Sequence, residues 1–114
     1  MIRGELWWAD FGIPFGSEPG FRRPVLIIQN NDFNRSNINT IIVIPLTTNL
    51  RYENAPGNIF IEKEDSGLSK DSIVVVSQIY AIDKSRMIEK VKKLSESVIR
   101  DIENGILLVL GIKI

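Results

Sequence analysis

The chain has 114 residues, 44% hydrophobic and 25% charged, a composition that predicts one soluble globular domain spanning 1–114. Fourteen basic and fourteen acidic side chains cancel, so any binding of a polyanion must come from a local patch. It has neither cysteine nor histidine, which excludes disulfides, thiolate nucleophiles, sulfur-built zinc sites and every mechanism that needs an imidazole.

Met1-Ile2-Arg3-Gly4-Glu5 lacks the plan of a signal peptide, and the longest apolar run, Ile106 to Leu110, is too short to span a bilayer. A cytoplasmic protein that does not enter a membrane is expected. Leu6-Trp7-Trp8-Ala9 reads as a first strand; alternation turns one tryptophan to the core and its neighbour away. Either can stack a base, but filling a core or a subunit interface is the commoner use. Phe11 to Gly20 holds three glycines and two prolines and reads as a long loop. Its apolar residues argue against simple disorder and for a lid, with Ser17 and Glu18 as its chemically able members.

Val25-Leu26-Ile27-Ile28 reads as a buried strand, with Pro24 as its first residue. Arg23, before the proline, is pushed into extended backbone, so a guanidinium stands at the mouth of a core strand. Asn30 to Asn37 is turn and short-helix material. Thr40 to Thr48 reads as a second buried strand whose ladder Pro45 interrupts, leaving the Thr47 and Thr48 hydroxyls at its end. A polar connection from Leu50 to Pro56, a short strand at Asn58 to Ile61 and a charged loop hinged at Gly67 follow. Ile73 to Ile79 reads as a strand, Asp83 to Arg86 as a turn, and Glu89 to Leu94 as a half-exposed strand.

Ser95 is a good N-cap, Leu94 and Ile99 have staple spacing, and Val98, Ile102, Ile106 and Val109 recur at helical spacing. Gly105 inside that helix costs on the order of 1 kcal/mol against alanine, which argues for close packing there. About six short strands with one terminal helix predict a mainly β chain, a small β-barrel or open barrel with the helix packed on it. Parallel βαβ units are not expected, because no helix separates most strands.

Several motifs occur in an order that resembles one family. They are Arg3-Gly4-Glu5-Leu6-Trp7, Gly16-Ser17-Glu18, Arg23-Pro24-Val25-Leu26-Ile27-Ile28, Phe33-Asn34, Ile44-Pro45-Leu46-Thr47 and Gln78-Ile79-Tyr80-Ala81-Ile82-Asp83-Lys84. The set, running from about residue 3 through the terminal helix, resembles the MazF/PemK/Kid toxins of toxin–antitoxin modules. The resemblance implies an SH3-like small β-barrel, a homodimer, and a metal-independent endoribonuclease that cuts single-stranded RNA and is blocked by a cognate MazE-like antitoxin. It implies no cofactor. Position by position, the family's catalytic arginine falls on Arg23 and its catalytic threonine on Thr47. Ser17 and Glu18 match the substrate-lining lid, and Gln78 a position in the RNA groove. Tyr80 stands where many relatives carry an arginine, so it would stack a base where they neutralise a phosphate.

RNA brings its own nucleophile, the 2′-hydroxyl, so its cleavage needs no protein nucleophile or metal. It needs a charge clamp, for which Arg23 has a forked set of donors, and a further donor such as Thr47. The proton acceptor stays open, with Glu18 a candidate from the lid. Arg22 beside Arg23 offers a second positive charge, to RNA phosphate or to an acidic antitoxin peptide. Two rivals remain on the same architecture: a CcdB-like gyrase inhibitor, and a barrel that binds RNA or protein without catalysis. The former's activity resembles a tryptophan-glycine-isoleucine C-terminus; this chain ends Leu110-Gly111-Ile112-Lys113-Ile114.

Overall fold

A computed structural model describes residues 1–113. Seven strands run β1 Glu5–Asp10, β2 Arg22–Ile27, β3 Thr40–Thr47, β4 Ile59–Ile61, β5 Ser72–Val74, β6 Tyr80–Asp83 and β7 Met87–Lys93. Among the described residues there are three α-helices, α1 Asn31–Asn34 and α2 Lys63–Ser66 between strands and α3 Glu96–Leu110 after the last one. The strands form one antiparallel sheet in the order β4-β5-β3-β2-β1-β7, with β6 also paired to β3. The chain is thus mainly β with a C-terminal helix, and the small barrel is an open one.

β3 is the organising strand. On one edge it pairs with β2, through Val25↔Pro45, Leu26↔Ile44 and Ile27↔Val43. On the other it pairs first with β6, from Thr40 to Val43, and then with β5, through Leu46↔Val74 and Thr47↔Ile73. The hand-over from β6 to β5 falls at Pro45, which has no N–H to give to either ladder. Its carbonyl still accepts from the Val75 N–H at 2.9 Å.

The strands bury two apolar groups. One holds Leu6, Leu26, Ile44, Leu46, Ile61, Val74, Val76, Leu94 and Ile102, with Val98, Ile99, Ile106 and Val109 of α3 packed against it. The other holds Ala9, Val25, Ile27, Ile41, Val43 and Ile82 beneath Trp7, Phe11 and Met87. The Ser95 hydroxyl accepts from the Val98 N–H, and Gly111, at φ 70°, ends α3 in the left-handed conformation. Gly105 is buried against the Gly57 carbonyl, where a Cβ would overlap backbone, so the glycine is required by the close approach anticipated from sequence.

Four expectations are corrected. β2 starts at Arg22, three residues before Val25, and carries Pro24 inside it opposite Trp8. The Ile73–Ile79 strand stops at Val74, and Val76–Gln78 turns as a 3-10 helix. An extra strand, β6, follows immediately, and β7 begins at Met87. Both tryptophans are half-buried, but Trp7 packs on the second apolar group while Trp8 belongs to neither, as the expected alternation requires.

The Glu5 carboxylate, 4% exposed, accepts from the Trp7 indole at 3.0 Å and the Ile2 N–H at 2.9 Å and lies 3.0 Å from Lys90 Nζ. Burial raises its pKa, but the hydrogen bonds from Trp7, Lys90 and Ile2 outweigh that and hold it below the usual glutamate value. A depressed carboxylate adds stability that is complete above its unfolded pKa and lost as pH falls through the folded one. Denaturant midpoints should therefore decline as pH falls below the ordinary glutamate range, and Glu5→Gln should flatten that decline. An unchanged acid limb in the variant would show that the Glu5 contacts do not set it. Separately, Gly105→Ala should lower stability by about 1–3 kcal/mol through overpacking against Gly57, read from urea midpoints.

Candidate active site

Extending the β2–β3 register past Val25↔Pro45 would set Pro24 opposite Leu46, Arg23 opposite Thr47 and Arg22 opposite Thr48. None of these pairs forms a ladder, and the strands part there. Trp8, Arg22, Arg23, Pro24, Leu46, Thr47 and Thr48 line the open cleft that results. Two residues singled out from sequence, Arg23 and Thr47, thus meet across a split in the sheet, with Arg22 beside them.

Arg23 Nε donates to the Gly20 carbonyl at 3.3 Å, and among the described residues its two terminal nitrogens have no hydrogen-bond partner. The fork is held by its base and open at its tip, suited to a bidentate anion. The Thr47 hydroxyl accepts from the Asn49 N–H at 3.2 Å, which leaves its own hydrogen to donate. Among the described residues no carboxylate lines this cleft, and no three carboxylates converge elsewhere to hold a metal.

The lid joins β1 to β2. Its neck is closed by the Phe11 N–H donating to the Phe21 carbonyl at 2.8 Å and by the Phe21 N–H donating to the Gly12 carbonyl. Phe21 has φ 58°, the one non-glycine residue at positive φ among those described. Ile13 and Phe15 at the tip are 89% and 84% exposed, so the apolar surface foreseen for the lid points outward. Gly20 is pressed against Pro14, leaving no room for a Cβ.

Ser17, Glu18, Gln78 and Tyr80 meet in a second cleft, and Gln78 Nε2 donates to the Ser17 carbonyl at 3.3 Å. A neighbouring pocket is lined by lid residues together with Phe11 and Tyr80, whose ring centroids are 6.0 Å apart at 49°. Glu18 and Asp83 stand on its rim. The Ser85 hydroxyl and backbone N–H hold the Asp83 carboxyl below the usual aspartate value. Glu18 therefore lies with Tyr80 and lines no part of the Arg23–Thr47 cleft, so its candidacy as proton acceptor gains no support from position. From sequence, Trp8 is one of two tryptophans that can stack a base, with core or interface filling the commoner use, and nothing there sets it beside Arg23. Its place in the cleft follows from the Trp8↔Pro24 register, which the sequence does not supply.

Residues 2–110 match the model of the PemK-like, MazF-like toxin of type II toxin-antitoxin system. The chain belongs to that family. It is 36% identical over 112 residues to the Endoribonuclease MazF2 of Mycobacterium bovis and to the Endoribonuclease MazF6 of Mycobacterium tuberculosis, covering 98% of each protein and of itself. Among solved structures, an endoribonuclease in complex with its cognate antitoxin from Mycobacterial species superposes with a TM-score of 0.80 at 20% identity, covering 100% of this chain and 98% of that one. MazF from Deinococcus radiodurans gives 0.81 at 21% identity, covering 98% and 97%.

Proposed function

We propose that this chain is a toxin endoribonuclease that cuts single-stranded messenger RNA at a defined sequence, without a metal, and is neutralised by its own MazE-like antitoxin. The observation that carries the reading is the Arg23–Thr47 pair across the open ladder, in a chain whose curated relatives are named endoribonucleases. A working homodimer and cytoplasmic action accompany the reading. Family neighbours solved with a cognate antitoxin support the partner.

The reaction we assign is attack of the 2′-oxygen on the adjacent phosphorus, with cleavage of the phosphorus–5′-oxygen bond. The products are a 2′,3′-cyclic phosphate and a 5′-hydroxyl. Arg23 holds two phosphate oxygens as negative charge gathers on them, and the Thr47 hydroxyl donates to one of them. Arginine and threonine are poor bases at neutral pH. The 2′-hydroxyl proton is therefore assigned to a non-bridging phosphate oxygen, from which it passes to the departing 5′-oxygen. Arg22 adds charge for a neighbouring phosphate. Ser17, Glu18, Gln78 and Tyr80 form the substrate-binding side, with Tyr80 stacking a base.

The purified protein, incubated with long single-stranded RNA in excess EDTA, should give discrete fragments with 5′-hydroxyl ends. Arg23→Ala and Thr47→Val should each lower kcat about 10²–10³-fold, with Thr47→Ser recovering most of the loss. A 2′-deoxy sugar at the mapped position should block that cut. No cutting by folded, antitoxin-free protein would overturn the nuclease reading and favour the inhibitor or silent binder.

Glu18→Gln separates the two proton routes. On the assignment above it changes kcat less than about threefold, since even one oxyanion donor is worth far more. A loss as large as that of Arg23→Ala would restore Glu18 as the base and require the lid to bring it into the cleft.

A further inference from the structure

We infer that Trp8 is a base-stacking residue, holding the nucleobase next to the phosphate gripped by Arg23; the inference rests on the nuclease reading above. Trp8 lines the same cleft as Arg22, Arg23 and Thr47 and belongs to neither buried apolar group. A tryptophan placed for core filling would be covered. This one is half-buried, with one side presented to the cleft.

The two tryptophans are adjacent but differently employed. Trp7 packs on the second apolar group and spends its indole N–H on Glu5 at 3.0 Å. The Trp8 indole N–H has no acceptor among the described residues, and the described side chains include no buried polar atom without a partner. The donor therefore faces solvent or a ligand. Behind Trp8 stands Pro24, its cross-strand partner in the β1–β2 ladder. A rigid pyrrolidine ring directly opposite limits the indole's freedom, so little rotamer entropy is lost when a base lands on it.

The chemistry fits one kind of occupant. A phosphate clamp alone would bind sulfate, polyphosphate or any nucleic acid backbone. A clamp with an aromatic plane in the same cleft matches a nucleotide, whose base and phosphate are joined by one sugar. Every base has a π-face, so this stack adds grip and orientation and tolerates different sequences, leaving base discrimination to the lid side.

The chain has two tryptophans, so Trp7→Phe makes Trp8 the sole indole reporter. The probe is an RNA oligonucleotide spanning the mapped cut, with a 2′-deoxy sugar at the scissile position, followed by anisotropy and tryptophan emission together. Emission should be quenched with the midpoint given by anisotropy. In cleavage assays Trp8→Ala, checked for folding by circular dichroism and melting, should raise KM about tenfold or more with kcat less affected. That penalty should vanish when the nucleotide on one side of the cut is made abasic. RNA binding without quenching, or a Trp8→Ala penalty that persists on both abasic substrates, would overturn the inference while leaving the nuclease reading intact. Absence of binding and cutting in the unaltered protein would overturn both.

Discussion

The molecule depends on two prolines that interrupt two different ladders, Pro24 the one between β2 and β3 and Pro45 the one on the far edge of β3. Pro24 and Pro45 lie at adjacent register positions on neighbouring strands, and neither has a main-chain donor. Beyond Val25↔Pro45 the β2–β3 ladder would need partners at Pro24, Arg23 and Arg22, and the first of these has no N–H. β2 stays with β1, through Pro24↔Trp8 and Arg23↔Ala9, while β3 turns to β5. The β2–β3 ladder ends at Pro24, β3 changes its far-edge partner at Pro45, and two arginines and two threonines are among the side chains lining the opening. A cleft made this way is stiff, because each wall is still hydrogen-bonded on its far side.

Strain sits at the edge of that opening. A phenylalanine at φ 58° costs about 1–3 kcal/mol and persists only where its surroundings over-determine it. Here two main-chain hydrogen bonds across the lid neck fix Phe21, and its chain successor is Arg22. The same neck ends at Gly20, whose carbonyl takes Arg23 Nε. Lid conformation and guanidinium orientation are therefore coupled through three consecutive peptides. A ligand that moves the lid has a mechanical route to Arg23, and one that binds Arg23 has a route back to the lid.

Much of this was legible in the sequence, and the parts that were not have identifiable causes. α3 was readable because its cap, staple and 3.6-residue period agree, and the required closeness at Gly105 followed from a glycine in a helix interior. β6 was missed because only Ile82 among its four residues is buried, so it carries no alternation. The run after Val74 looked like more strand because apolar runs do not reveal their period, yet the chain turns there in a 3-10 helix. At the site, Arg23 and Thr47 were named through a resemblance. Their meeting rests on a register of long sequence separation that composition cannot supply. Glu18 is a candidate by its chemistry alone; it lines the clefts beside Tyr80 and not the one that holds Arg23 and Thr47.

The zero net charge fits this arrangement. A uniformly basic surface would attract nucleic acid everywhere, with a steep dependence on salt. Among the described residues three ion pairs join opposite charges, Lys90 with Glu5, Arg3 with Glu103 and Arg35 with Asp32. The Arg22–Arg23 pair has no carboxylate within ion-pair distance among the described residues, and no acidic side chain lines its cleft. Alternation along β2 gives the two arginines opposite faces: Arg22 shares a face with Pro24, opposite Trp8, while Arg23 is tied to the lid. Two cations that reach one cleft from opposite faces of a strand suit a chain of phosphates better than a single compact anion. The short reach of such a small patch leaves affinity to depend on stacking and shape as well as on charge.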